Sequence, residues 1–548
     1  MLQKQGKIVV AALAVTMSGL ASAATYYVAP NGSDAGQGTL ASPWQSFAKA
    51  QAVAEPNDTV YFRGGEYVFT AALNTCTSTT AIVNVITLDK SGSADKPIRY
   101  WAYPGETPKF DFSQLKDNCR VKGFNVTGSY LHLKGLEVTG APQQPGNLSN
   151  NESWGIWIRG SNNIFEQINT HHHMGPGLFI SSGDYNLVLN VDSHHNYDPY
   201  SKSGAGQNAD GFGAHIKANH PGNVFRGCRA WSNSDDGFDT INAESPVLIE
   251  NSWAWLHGYY PGTTTPVPAG NGNGFKLGGF GGVYQADAPT HTVRFSVAFN
   301  NKASGFYNNH HPVGNVFYNN TSVGNGYGFN MLGIDPSGAA INLGILRNNI
   351  AYGGTLVTNV SGADDANNSW NLGVSVTSAD FQSVSTEGWD APRLPDGSLP
   401  PLPQFHLVKG SDLIDKGVKL GLPYTGAAPD LGAFEGSTPV PLYTDVTARI
   451  KLTQSGLTVD RASSQQRGTV SITNTSNSII SGTILFRLDG LADGVTLVNA
   501  AGVQGGAPTL TLPKASLAPG ETVTVTTVFS NPAKASIGYT PKLFAAVL

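Results

Sequence analysis

The most regular feature of the chain is a glycine followed by an apolar residue, recurring at Gly155-Ile156, Gly177-Leu178, Gly211-Phe212, Gly237-Phe238, Gly274-Phe275, Gly305-Phe306 and Gly328-Phe329. The intervals are 22, 34, 26, 37, 31 and 23 residues. Between the glycines run short stretches of alternating side chains that end in His or Asn: Asn190 to Asn196, Arg226 to Asn233, and Arg294 to Asn301. Alternation over so few residues predicts strands, two or three to an interval, with Gly and Asn at the corners. A minimal unit of 22 residues with almost no helical periodicity predicts an all-β parallel β-helix, a solenoid, since propeller repeats are longer and more even.

Unequal intervals then mean that extra residues leave the coil as loops while the strands stay stacked. Residues 197–209 and 258–273 are the two loops expected to rise on one side and wall a cleft. His173, Asn233 and Asn301 each stand four residues before their glycine, which predicts a hydrogen-bonded ladder at one corner.

The ends read differently. Ser42 to Ala54 has Ser before Pro43 and apolar residues at helical spacing, so a helix capped by Ser42 is expected to plug the first coil. The solenoid is expected over residues 24–436, a short Pro-containing linker over 437–441, and a small immunoglobulin-like β-sandwich over 442–548, where Gly468 to Asn474 and Glu521 to Phe529 alternate apolar and polar positions. The sandwich reads as a spacer or stabilising cap, or as a carbohydrate-binding module. Residues 1–23, with Lys4, Lys7, an apolar run from Ile8 to Leu20 and Ala21-Ser22-Ala23, read as a signal peptide cut after Ala23.

Charge narrows the partners. The chain carries 33 basic and 38 acidic residues; losing Lys4 and Lys7 leaves 31 against 38, or −7. No basic patch for nucleic acid is expected, and no later stretch reaches the roughly 18 apolar residues of a membrane span. The protein is expected to be secreted, to the medium or the periplasm, and monomeric. Of its three cysteines, Cys76 and Cys119 are read as a disulfide and Cys228 as a buried thiol.

Aligning the glycines reveals columns. One residue earlier stand Pro176, Asp210, Asp236, Asn273, Ser304 and Tyr327; two residues later stand Phe179, Gly213, Asp239, Lys276, Tyr307 and Asn330. Coils about 4.8 Å apart place Asp210 over Asp236 and Asp239 over Lys276, with Asp235 at the same corner. Such carboxylates either form a solvated acidic turn or hold a hard divalent cation, and oxygen ligands without Cys or clustered His favour Ca2+ over zinc. Lys276 is either half of an ion pair with Asp239 or a base beside the cation, with Tyr307 as a substrate contact. Strict alternation would turn Asp236 inward with Phe238, so Gly237 is expected at a bend. The adjacent histidines at 171–173, 194–195 and 310–311 are expected to face opposite ways and to serve turns and ladders.

Three segments in order, Asp210 to Gly213, Ser234 to Thr240 and Gly272 to Gly278, resemble the signature of polysaccharide lyase family nine, the pectate lyases; the likeness spans residues 24–436. The resemblance implies a right-handed parallel β-helix, Ca2+ at Asp210, Asp235, Asp236 and Asp239, and Lys276 as the proton-abstracting base. It further implies cleavage of polygalacturonate, an anionic plant cell-wall polysaccharide, into 4,5-unsaturated oligogalacturonides, in pectin catabolism. The alternatives are a lyase acting on another uronate polymer such as alginate, a polygalacturonase-type hydrolase, and a non-enzymatic adhesin.

Overall fold

In the computed structural model the residues described are 23–548, without 71–80, 116–119, 144–151, 203, 395, 437–441, 462, 482, 505–506, 515, 533 and 548. The leader before Ala23, the 437–441 linker and both Cys76 and Cys119 lie outside the described residues, and so does the expected disulfide. Cys228 is a buried free thiol, pushed up to about 12 by burial.

Three long parallel sheets, of 12, 10 and 10 strands, wind through the first part of the chain. Each turn contributes one strand to each sheet, which is a right-handed β-helix. The glycine alignment is the observed register: Ile156 pairs with Leu178, Leu178 with Phe212, Phe212 with Phe238, Phe238 with Phe275, Phe275 with Phe306 and Phe306 with Phe329. Inside the coil the phenylalanines of 212, 238, 275, 306 and 329 stack with centroids 4.8 to 5.0 Å apart. Each such ring contributes roughly 1.5–3 kcal/mol by leaving water, and the offset stack fixes which residue lies over which.

The glycines serve close approach. A Cβ added at Gly237 would lie 2.6 Å from the Gly274 carbonyl oxygen and 2.6 Å from His257 Nε2. The ladder runs through His173, Asn196, Asn233, His257, Asn301 and Asn325. In it the backbone N–H of one rung donates to the side chain of the next at 2.9 to 3.3 Å. Asn196, His257 and Asn325 thus extend the three rungs legible in sequence.

The plugging helix is shorter than expected. It spans Phe47–Val53, and its cap is Ser46, whose hydroxyl accepts from Lys49 N at 3.0 Å. Ser42 cannot cap it because Trp44 is held in a parallel bridge to Val28. Phe47 then packs on Phe62, Tyr100, Phe110 and Phe124 and closes the first coil. From Leu442 to Val547 the strands pair antiparallel in two five-stranded sheets plus one two-stranded ribbon, a sandwich around Val470, Ile472, Phe486, Phe529 and Leu543.

The adjacent histidines depart from strand alternation. His172 and His195 adopt left-handed backbone (φ 56° each), which brings His171 Nδ1 within 2.7 Å of His172 Nδ1 and His194 Nδ1 within 2.7 Å of His195 Nδ1. The pairs face the same way because the corner falls between them. His173 is a buried ladder rung.

Candidate active site

The site lies on the sheet that runs from Ile82–Leu88 through Arg120–Val126, Trp154–Ile158, Leu178–Ile180, Phe212–Ala214, Phe238–Asp239 and Phe275–Lys276 to Ser304–Tyr307 and beyond. Gly213, Asp239, Lys276 and Tyr307 are successive register partners along it. The chain bends at Gly237 before its two-residue strand, so Asp236 and Asp239 both turn outward while Phe238 stays in the core.

Carboxylate oxygens of Asp210, Asp236 and Asp239 all lie within 4.8 Å of one another. Lys276 Nζ sits 2.9 Å from Asp236 Oδ2 and 3.0 Å from Asp239 Oδ2. Asp235 stands slightly apart: it lines the same cleft, and its Oδ1 accepts from Asn271 N at 2.6 Å. The structure therefore gathers three of the four sequence-selected aspartates around the lysine and sets the fourth at the cleft wall. None of these groups is a solvated turn. Lys276 is only 7% exposed, and Asp236 is fully buried.

Burial and mutual repulsion dominate the electrostatics. The Asp210 carboxyl is held well above its ordinary range by burial and then by Asp239 and Asp236; Asp235 is raised likewise by burial, Asp236 and Asp210. Burial would pull the Lys276 ammonium down, but Asp236, Asp239, Asp235 and Asp210 together hold it well above the ordinary lysine value. One ammonium opposes four carboxylates. Asp236 Oδ2 is buried with the Lys276 ammonium as its partner, whereas its Oδ1 accepts from both nitrogens of Asn273 at 2.7 and 2.9 Å. An all-oxygen cluster in which one ammonium faces four carboxylates fits a hard divalent cation.

Tyr307 occupies the next coil beside Lys276, and its hydroxyl is hydrogen-bonded to His310 Nδ1 at 3.0 Å. It does not line the cleft that holds the aspartates. That cleft, about 330 Å³, is bounded by Trp154, Trp157, Phe179, His215 and Arg120 on one side and by the loop residues Gln207, Asn208 and Asn271 on the other. Both loops expected to wall it contribute. Asp198, pushed up to about 6 by burial, anchors the first loop by accepting from Ser201 Oγ and from Asn208 N.

A family model described as "Pel9A-like, right handed beta helix region" matches residues 26–349. The chain belongs to the Pel9A-like right-handed β-helix family. Among its relatives, pectate lyase L of Dickeya chrysanthemi is 40% identical over 428 residues, covering 76% of this chain and 92% of the relative. Pectate lyase PEL9 of Emericella nidulans is 30% identical over 414 residues, covering 69% and 91%. Among solved structures, pectate lyase Pel9A is 38% identical with a TM-score of 0.63, covering 76% of this chain and 97% of that one. A rhamnogalacturonan lyase is 37% identical with a TM-score of 0.65, covering 70% and 96%. The sequence resemblance to family-nine pectate lyases is thereby shown.

Within this Pel9A-like fold, several residues in and beside the cleft stand outside the glycine columns described above. Lys122-Gly123-Phe124 carries the same glycine signal one coil before Gly155, and its register partner Trp154 opens the column that continues to Asp210. His215 lines the cleft against Phe179, with ring centroids 4.7 Å apart. Burial lowers His215 to about 4, so it is a neutral imidazole; nothing in the local sequence marks it.

Proposed function

We propose that the protein is a calcium-dependent pectate lyase that cleaves polygalacturonate by β-elimination and releases 4,5-unsaturated oligogalacturonides. The observation that carries this reading is Lys276 Nζ, set between Asp236 and Asp239 inside an aspartate cluster, in a chain of the Pel9A-like family. Asp210, Asp236 and Asp239, with Asp235 at the wall, would hold Ca2+. Bound there, a divalent cation supplies positive charge beside a uronate carboxylate, which acidifies the C5 proton.

The remaining chemistry belongs to the chain. Lys276 acts as the base: as a neutral amine it takes the C5 proton, the C4–O bond breaks, and a C4=C5 double bond forms. The glycosidic oxygen leaves with a proton from water. In the metal-free arrangement the carboxylates hold the proton on Lys276; once their charge is offset, burial favours the neutral amine. A lysine in this position suits elimination, whereas glycoside hydrolysis relies on a carboxylic acid and a carboxylate pair. Methyl esterification removes the charge that the site recognises, so de-esterified polymer is the expected substrate.

A second reading, cleavage of a rhamnogalacturonan backbone, is favoured by the solved rhamnogalacturonan lyase of similar fold. A substrate panel separates the two: ultraviolet absorbance should rise with polygalacturonate, fall to background in excess chelator and return with added calcium. A rise with rhamnogalacturonan alone would select the second reading, and turnover undiminished by chelator would remove the metal. Export of the chain, read from residues 1–23, belongs to the same proposal.

A further inference from the structure

The cleft extends away from the aspartates toward a group of cations that the elimination chemistry does not use. Lys122 is 9% exposed, yet among the described residues it makes no ion pair and no hydrogen bond. Its ammonium lies 4.0 Å from the Trp157 ring centre and 5.9 Å from that of Trp154. Trp157 is thus held between Lys122 and Phe179, on which it stacks at 4.6 Å. Arg120 lines the same end of the cleft, its guanidinium 4.4 Å from the Trp154 ring centre and paired to Glu152 at 3.2 Å.

A buried ammonium without a counter-ion is costly unless something anionic arrives. Ring faces repay part of that cost but leave the net charge in place. Lys122 is lowered to about 8 by burial and then by Arg159 and Arg120, so both charges that act on it are positive. Glu152 neutralises one of these three cations and leaves a positive excess on an otherwise acidic chain. Trp157 Nε1 also lacks a hydrogen-bond partner. Uncompensated cations at the end of a cleft are the recognition chemistry of an acidic sugar: the ammonium meets the sugar's carboxylate, while Trp154 and Trp157 hold the cations in place.

Resting on the pectate reading above, we propose that Lys122, supported by Arg120, Trp154 and Trp157, binds the carboxylate of a galacturonate residue remote from the bond that breaks. The Lys122 strand lies three coils before the coil of Asp210, roughly 14 Å at the spacing of paired strands. The subsite therefore grips a neighbouring stretch of the same polymer and selects for length and for negative charge.

The test is calorimetric titration of the full chain with hexagalacturonate in excess chelator, so that neither metal nor turnover contributes. Lys122→Met is expected to weaken binding about tenfold, Lys122→Arg to restore it to within about threefold, and trigalacturonate to show a much smaller difference. Thermal melts establish that both variants are folded. Equal affinity of wild type and Lys122→Met, or no binding by wild type, overturns the subsite. Turnover on polygalacturonate is read separately: KM should rise about tenfold in Lys122→Met while kcat falls less than about twofold. If binding responds as expected but wild type yields no unsaturated product with calcium, the subsite stands and the elimination reading falls.

Discussion

Lys276 Nζ lies 2.9 Å from Asp236 Oδ2, so the lysine and any cation held by Asp210, Asp236 and Asp239 address the same carboxylates. The lysine is the cluster's own counter-ion until a metal arrives. This arrangement makes proton affinity at Lys276 depend on metal occupancy.

Asp236→Asn removes a charge from the centre of the cluster while keeping its volume. Calcium affinity, measured by titration calorimetry, is expected to fall on the order of 100-fold, and turnover at fixed low calcium to fall with it. Affinity within a factor of two of wild type would place the cation elsewhere.

The metal-free protein should lose stability as pH rises. Asp210 and Asp235 are raised in the folded chain, so their contribution is fully present below the ordinary carboxylate value near 3.8 and is lost as pH climbs through their folded values. Melting temperature in chelator is therefore expected to decline through the range that begins at the ordinary carboxylate value and ends at their raised folded values. Added calcium should raise it most above that range. A melting temperature that is flat over this range in chelator contradicts the assignment of these buried acids.

Asn233→Ala deletes a rung of the ladder. Its Oδ1 accepts from both Asn196 N and Asn196 Nδ2; Nδ2 keeps Ser193 Oγ and Asp210 O, but the buried backbone N–H would be left unpaired. Denaturant titration is expected to show a loss of about 1–3 kcal/mol, with activity per folded molecule near wild type because the rung touches no cleft residue.

Gly237→Ala tests the close approach of coils. A Cβ there meets Gly274 O at 2.6 Å, in the step that sets Asp236 and Asp239 against Lys276. Both stability and calcium affinity should fall, which distinguishes this variant from Asn233→Ala.

The glycine column was legible because a side chain cannot fit where coils touch, and the phenylalanine after each glycine marks the core. Asp210, Asp236, Asp239 and Lys276 followed from that register. The placement of Asp235 did not, since it depends on Asn271 in a loop that no periodicity describes. Local pattern points to Ser42 as the helix cap, whereas the bridge between Trp44 and Val28 moves the cap to Ser46. The paired histidines required left-handed corners at His172 and His195, a conformation uncommon outside glycine, although histidine adopts it more often than most side chains. Lys122 shares the glycine signal but stands one coil before the run that begins at Gly155.

The most direct measurement is ultraviolet absorbance during incubation of wild type and Lys276→Ala with polygalacturonate, each with calcium and with chelator. The account predicts a rise for wild type with calcium, none with chelator, and a loss of about 10²–10⁴-fold for Lys276→Ala, with calcium binding to that variant retained. Absorbance rising at the wild-type rate in Lys276→Ala, or new reducing ends appearing without any absorbance in wild type, would contradict it.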